Sequence, residues 1–134
     1  METIYHITTQ TSWDTAVTAG QYHADSLTAE GFIHCSTLSQ ILIPANALYR
    51  GQTDLILLCI ASSRVHPPII YEDCYESGQT FPHIYGPLNL DAVTNIIPFP
   101  PNADGTFSLP IPLKGLPSAI VSPSGRIRED VDEQ

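Results

Sequence analysis

Leu55-Ile56-Leu57-Leu58-Cys59-Ile60 is an uninterrupted apolar run, preceded by Asp54 and followed closely by Ser62-Ser63. A segment with no polar face leaves the chain few options. It is far shorter than the roughly 20 residues a membrane helix requires. It fits a β-strand covered on both faces, since alternate side chains then bury themselves on either side of one sheet. The run therefore predicts the centre of a sheet with packed layers above and below it.

The flanking segments supply the neighbours. Ile4-Tyr5-His6-Ile7-Thr8 is rich in β-branched and aromatic residues and predicts the first strand. Ser12 offers an N-cap to a short helix over Trp13 to Ala19, stopped by Gly20. Thr28 offers a cap to a further turn through Glu30, and Gly31 releases the chain into a second strand, Phe32-Ile33-His34-Cys35-Ser36. Leu38, Ile41, Leu42, Ala45, Leu48 and Tyr49 recur at helical spacing up to Gly51, with Pro44 kinking that helix or opening a second piece of it. Ile69 to Glu72 and His83 to Gly86 predict short strands, Asp91 a capped turn, and Val93 to Phe99 a last strand. Five prolines between Pro98 and Pro112 make the remainder an extended, wrapping segment. Strands and short helices mix without strict alternation, which predicts an α+β fold in one domain over residues 1–121. Residues 122–134 read as a charged, mobile tail.

Charge and cysteine content narrow the function classes. Fourteen acidic residues against five basic ones give a formal charge of −9. Arg50, Arg64, Arg126, Arg128 and Lys114 form no basic stripe, which argues against nucleic-acid binding. Cys35, Cys59 and Cys74 are odd in number, match no zinc spacing and sit in or near apolar runs, so they read as buried thiols of a reducing compartment. No apolar run reaches membrane length and no basic-then-apolar leader opens the chain, so the expected location is the cytoplasm, away from membranes.

Strand alternation then selects candidate site residues. Ile4, His6 and Thr8 share one face of the first strand, and Phe32, His34 and Ser36 share one face of the second. Two polar triplets with a central histidine become neighbours if those strands pair or approach across a split, and His6 and His34 then open to one cleft. Cys35 projects away from His34, which disfavours a thiol–imidazole pair between them. The separations of His6, His34 and His83 specify no metal site, and none is expected. In Phe81-Pro82-His83-Ile84-Tyr85-Gly86, alternation puts Phe81, His83 and Tyr85 on one side, where aromatic walls suit a planar ligand, while Gly86 permits a turn or close backbone contact. Glu72, at a strand end, is a candidate acceptor for a sugar hydroxyl.

These strings, with Trp13, Gly20, Tyr22, Ser26-Leu27, Glu30 through Ser36, Gln40 and Tyr71-Glu72, resemble the family of domains of unknown function 952 over about residues 3 to 110. That family is in turn similar to the ADP-ribosyltransferase-like fold, a small, split, mostly antiparallel sheet with short helices that binds NAD in the split. The resemblance implies a ribose-binding role for His6, a place beside the nicotinamide ring for His34, and a third, reacting position at Glu72 or His83. Thr8, Ser36 and Tyr85 join His6 and His34 as expected nucleotide contacts. Relatives commonly carry glycine after the first histidine, where this chain has Ile7. The phosphate-binding arginines of RNA 2′-phosphotransferases have only Arg50 and Arg64 as counterparts here. The expectation is a protein that binds NAD, as substrate, or a related nucleotide, in a histidine-lined pocket. A non-catalytic metabolite-binding module and a protein-interaction domain built on Pro98 to Pro112 are the alternatives.

Overall fold

A computed structural model describes residues 2–74 and 76–114. The proposed tail at 122–134 and the last residues of the expected domain lie outside the described residues.

The apolar run forms β4 (Leu55–Ala61), buried at every position. It pairs antiparallel with β1 (Thr3–Thr9) on one edge and β8 (Val93–Pro98) on the other, so it is the centre of a three-stranded sheet. Its alternate residues divide between two cores, as its lack of a polar face requires. Ile56, Leu58 and Ile60 join Ile4, Ala16, Tyr22, Ile33, Cys35, Ile84, Leu88 and Ala92 on one side. Leu55, Leu57 and Cys59 join Tyr5, Ile7, Leu38, Ile41, Ala45, Ile97, Phe99, Phe107 and Leu113 on the other. The wrapping segment after Pro98 thus supplies Phe107 and Leu113 to the second core, with the Phe99 and Phe107 rings stacked 4.8 Å apart.

Among the described residues three α-helices pack on these cores, two against the first and one against the second. In α1 (Gln10–Ala19) the cap is Thr9 rather than Ser12: the Thr9 side chain accepts the Ser12 backbone N–H, and Gly20 closes the helix in the left-handed conformation. The second helix, α2 (Asp25–Glu30), begins after Ala24, ahead of the cap expected at Thr28. The third, α3 (Leu42–Leu48), is shorter than the periodicity of residues 37–51 suggested, because Pro44 sits in its first turn, where a missing N–H costs no hydrogen bond. Among the described residues no helix is long and apolar enough to cross a membrane.

A second three-stranded antiparallel sheet orders β3 (Ile33–His34), β6 (Phe81–Ile84) and β5 (Ile69–Glu72), with β6 in the middle. A two-stranded ribbon, β2 (Gln21–Tyr22) with β7 (Leu88–Asn89), completes the set. The architecture is therefore α+β, with antiparallel sheets and few short helices. An isolated bridge joins the two larger sheets: Tyr5 and Ser36 exchange backbone hydrogen bonds of 2.8 Å each. Continued pairing would set Ile7 opposite His34, but β1 and β3 pair no further. Side chains fill the gap where they part.

Candidate functional site

Register explains which side chains meet. His34 lies opposite His83, Ile70 opposite His83 on the other edge, and Glu72 opposite Phe81. Directly opposed residues share a face, and so do residues two apart. Phe32, His34, Glu72, Phe81, His83 and Tyr85 consequently project from one face of the second sheet. Ile33, Cys35, Ile69 and Ile84 project from the other, into or against the first core.

Phe32 is the hub of the polar face. Its ring stacks on His83 at 4.1 Å and 15°, and its centroid lies 4.8 Å from His34 and 5.3 Å from Tyr85. The His34 ring meets His83 edge-on at 5.2 Å. His83 is fully buried and forms the floor, while His34, Glu72 and Tyr85 are part-exposed above it. Alternation within one strand pairs Phe81 with His83 and Tyr85; Phe32, which stacks on that strand from just ahead of β3, is placed there by the register.

Glu72 is the electrostatic centre. Its Oε1 accepts a hydrogen bond from the Tyr85 hydroxyl and another, 2.9 Å long, from His83 Nδ1. Donation from Tyr85, then from His83, holds the carboxyl below the usual carboxylate range, and the same bond to Glu72 pushes the Tyr85 phenol up to about 12. Glu72 is thus an ionised acceptor, and among the described residues no hydrogen bond engages its Oε2. Nearby, His34 Nε2 donates to Glu30 Oε1 at 3.1 Å across one turn of chain.

His6 occupies a different setting. Its Nδ1 lies 2.5 Å from the His34 carbonyl oxygen, which can only accept, so Nδ1 carries the proton. A neutral ring that donates from Nδ1 accepts at Nε2, and the Tyr22 hydroxyl lies 2.7 Å from that nitrogen. Thr8 Oγ1, 2.9 Å from the same phenol oxygen, extends the chain. Burial pushes the His6 imidazole down to about 4 and the Tyr22 phenol up to about 12. The imidazole therefore meets the His34 carbonyl at the point where the strands part. His6 meets the backbone of His34, whereas the ring of His34 turns to His83, Phe32 and Glu30. Thr8 and Ser36 are buried in this junction, the latter through its bridge to Tyr5.

The cysteines divide. Cys35 and Cys59 are free and buried, and burial pushes both thiols up, Cys59 to about 12. Cys74 corrects the expectation that all three are buried: it is exposed, just past the end of β5, with its sulfur 3.9 Å from His83 Nδ1. The carboxylate of Asp73 accepts the backbone N–H groups of Ser77 and Gly78 and folds the loop that presents it. The Glu72-x-Cys74 spacing at the end of β5 is the sequence feature that corresponds to this grouping. Gly86 bears out the expected close contact, since a Cβ there would stand 2.9 Å from Pro67 Cβ.

The family described as "Protein of unknown function (DUF952)" matches residues 7–96. The crystal structure of protein CC0527 from Caulobacter crescentus is 32% identical, with a TM-score of 0.73, and the match covers 80% of this chain and 94% of that one. A double-mutant crystal form of CC0527 gives the same values. Its solution NMR structure is 33% identical with a TM-score of 0.71, over 81% of this chain and 94% of that one. No curated protein matches the chain.

Proposed function

Because the chain belongs to the DUF952 family of proteins of unknown function, its activity has to be read from its own residues, and we propose that it binds NAD or a related nucleotide on the Phe32–His34–Tyr85 face and acts on the sugar through Glu72. The observation that carries this reading is the Glu72 carboxylate. It is ionised, gripped at one oxygen by Tyr85 and His83, uncommitted at the other among the described residues, and set in an aromatic surround. An oriented negative charge is what a sugar needs when its bond to a leaving base breaks. The carbon–nitrogen bond gives its electron pair to the departing nicotinamide, positive charge develops on the sugar ring, and a fixed carboxylate stabilises it. Such a carboxylate also accepts a ribose hydroxyl in the ground state.

His34 and Tyr85 offer part-exposed rings of the kind that stack on a planar base. His83, held under Phe32, orients Glu72. The resemblance to the ADP-ribosyltransferase-like fold gives a ribose-binding role to His6, but both its ring nitrogens are committed to Tyr22 and the His34 carbonyl. We assign it the positioning of His34 instead, and Thr8 acts with it through Tyr22. Ser36, in the bridge to Tyr5, fixes the same corner.

A thermal-shift panel of NAD, NADP, ADP-ribose, nicotinamide and nucleotides tests binding. Stabilisation should rise with ligand concentration, reaching about 2.7 kcal/mol at roughly 100-fold excess over the dissociation constant. A panel flat across all of them would overturn the nucleotide reading.

A further inference from the structure

Histidine spacing along the chain specifies no metal site, yet folding places the carboxylate of Glu72, the thiol of Cys74 and the imidazole of His83 so that one donor atom from each lies within 4.8 Å of the others. We infer that these three residues bind a single divalent transition-metal ion of the zinc type.

The donor set is the first argument. One nitrogen, one sulfur and one oxygen is the borderline mixture that zinc and its neighbours take, and that calcium and magnesium avoid. Distances are the second. His83 Nδ1 stands 2.9 Å from Glu72 Oε1 and 3.9 Å from Cys74 Sγ. Four-coordinate zinc, with bonds of about 2.0 to 2.3 Å, sets its ligand atoms roughly 3.3 to 3.7 Å apart. One separation is therefore slightly short and the other slightly long. The third separation, Glu72 to Cys74, lies within 4.8 Å, so centring a cation draws the exposed Cys74 sulfur inward by up to about an ångström.

Orientation is the third argument. His83 is buried and its ring plane is fixed by the Phe32 stack, so Nδ1 is aimed at the cluster before any ion arrives. Tyr85, bonded to Glu72, is an outer partner of the sort that holds a ligating carboxylate in place. Charge favours the same outcome. Glu72 and Asp73, the two carboxylates that directly precede Cys74 in the chain, set negative charge beside it, and that charge attracts a dication. On binding, the sulfur–hydrogen bond breaks and its proton leaves to solvent, the imidazole proton of His83 moves from Nδ1 to Nε2, and the electron pairs freed on sulfur and Nδ1 pass to the metal. Three protein ligands leave a fourth position open, as in metal centres that admit water or substrate.

The site does not rest on the nucleotide reading. Both draw on Glu72, so a bound ion would withdraw the carboxylate from a sugar and suppress any turnover there.

Cobalt(II) titrated into chelator-treated, reduced, nucleotide-free full-length protein tests the inference. One equivalent should produce the near-ultraviolet sulfur-to-cobalt charge-transfer absorption. Cys74→Ser, a change at an exposed position that circular dichroism can check for folding, should abolish it. Glu72→Gln should weaken cobalt binding at least about tenfold, the loss expected when even an outer partner of a metal ligand is removed. One equivalent of Zn²⁺ should also slow alkylation of Cys74 at least about tenfold. No charge-transfer absorption in the wild type, absorption undiminished in Cys74→Ser, or alkylation indifferent to Zn²⁺ would each overturn the site. A flat nucleotide panel leaves these readouts unchanged, and their failure leaves that panel unchanged.

Discussion

Acid should destabilise this protein through one buried imidazole. His6 is neutral in the folded state, with its affinity for protons pushed down to about 4 by burial, against 6.5 for an ordinary histidine. Between those values the unfolded chain binds one more proton than the folded one, so stability rises with pH there by up to about 1.4 kcal/mol per unit. The contribution is complete above about pH 6.5 and is lost as pH falls toward 4. Integrating from pH 7.5 to 5.0 gives a loss of about 2 kcal/mol attributable to His6. Against the 5 to 15 kcal/mol typical of a domain, that is a measurable fraction. Urea unfolding followed by the fluorescence of Trp13, which packs against the first core, gives the stability at each pH. Other groups titrate in the same range, so the informative quantity is the difference between wild type and His6→Gln, whose amide can still reach Tyr22 and the His34 carbonyl. That difference should narrow by about 2 kcal/mol from pH 7.5 to 5.0. If His6→Gln does not fold, proton NMR of the wild type reads the same quantity, with the His6 ring unprotonated at pH 5. A pH-independent difference, or a His6 resonance titrating near 6.5, would refute the buried neutral imidazole.

Four further outcomes are expected. Where NAD turnover is measured, Glu72→Gln should lower the rate by about 10²-fold or more with nucleotide binding nearly unchanged, and equal rates would remove Glu72 from the chemistry. Native protein treated with iodoacetamide should label at Cys74 well ahead of Cys35 and Cys59, which mass spectrometry of the tryptic peptides resolves; early labelling of Cys35 would contradict its burial. Gly86→Ala should cost about 1 to 3 kcal/mol, since the new methyl collides with Pro67, and an unchanged melting temperature would show that the contact yields freely. Leu57→Ala should cost about 2 to 5 kcal/mol by urea titration, the range for emptying a fully buried leucine position, and a cost below 1 would deny β4 its central place.

The sheet's centre was legible from residues 55–60 alone, because a strand without a polar side has nowhere to lie except between two layers. The shared face of Phe81, His83 and Tyr85 was legible for a similar reason, since alternation is a property of the local backbone. Helix ends were less so. Thr9 and Ser12 both offer a hydroxyl, and only the path of β1 into α1 selects Thr9 as the cap. Likewise the periodicity of residues 37–51 is real, but Pro44 confines the regular helix to seven residues.

The site divides along the same line. Sequence by itself singled out candidate side chains and the way each strand turns them: histidines at 6, 34 and 83, a carboxylate at 72, and a family pattern that spans residues 7–96. It could not determine partners across the split, because those depend on where two strands stop pairing. Tertiary structure turned His6 into the support of the His34 carbonyl and joined it to Tyr22. It also laid Phe32 over His83 and brought Cys74 to the same nitrogen that Glu72 holds. Alternation fixes direction along one strand, whereas contact between strands is set by register, and register follows from the packing of the whole core.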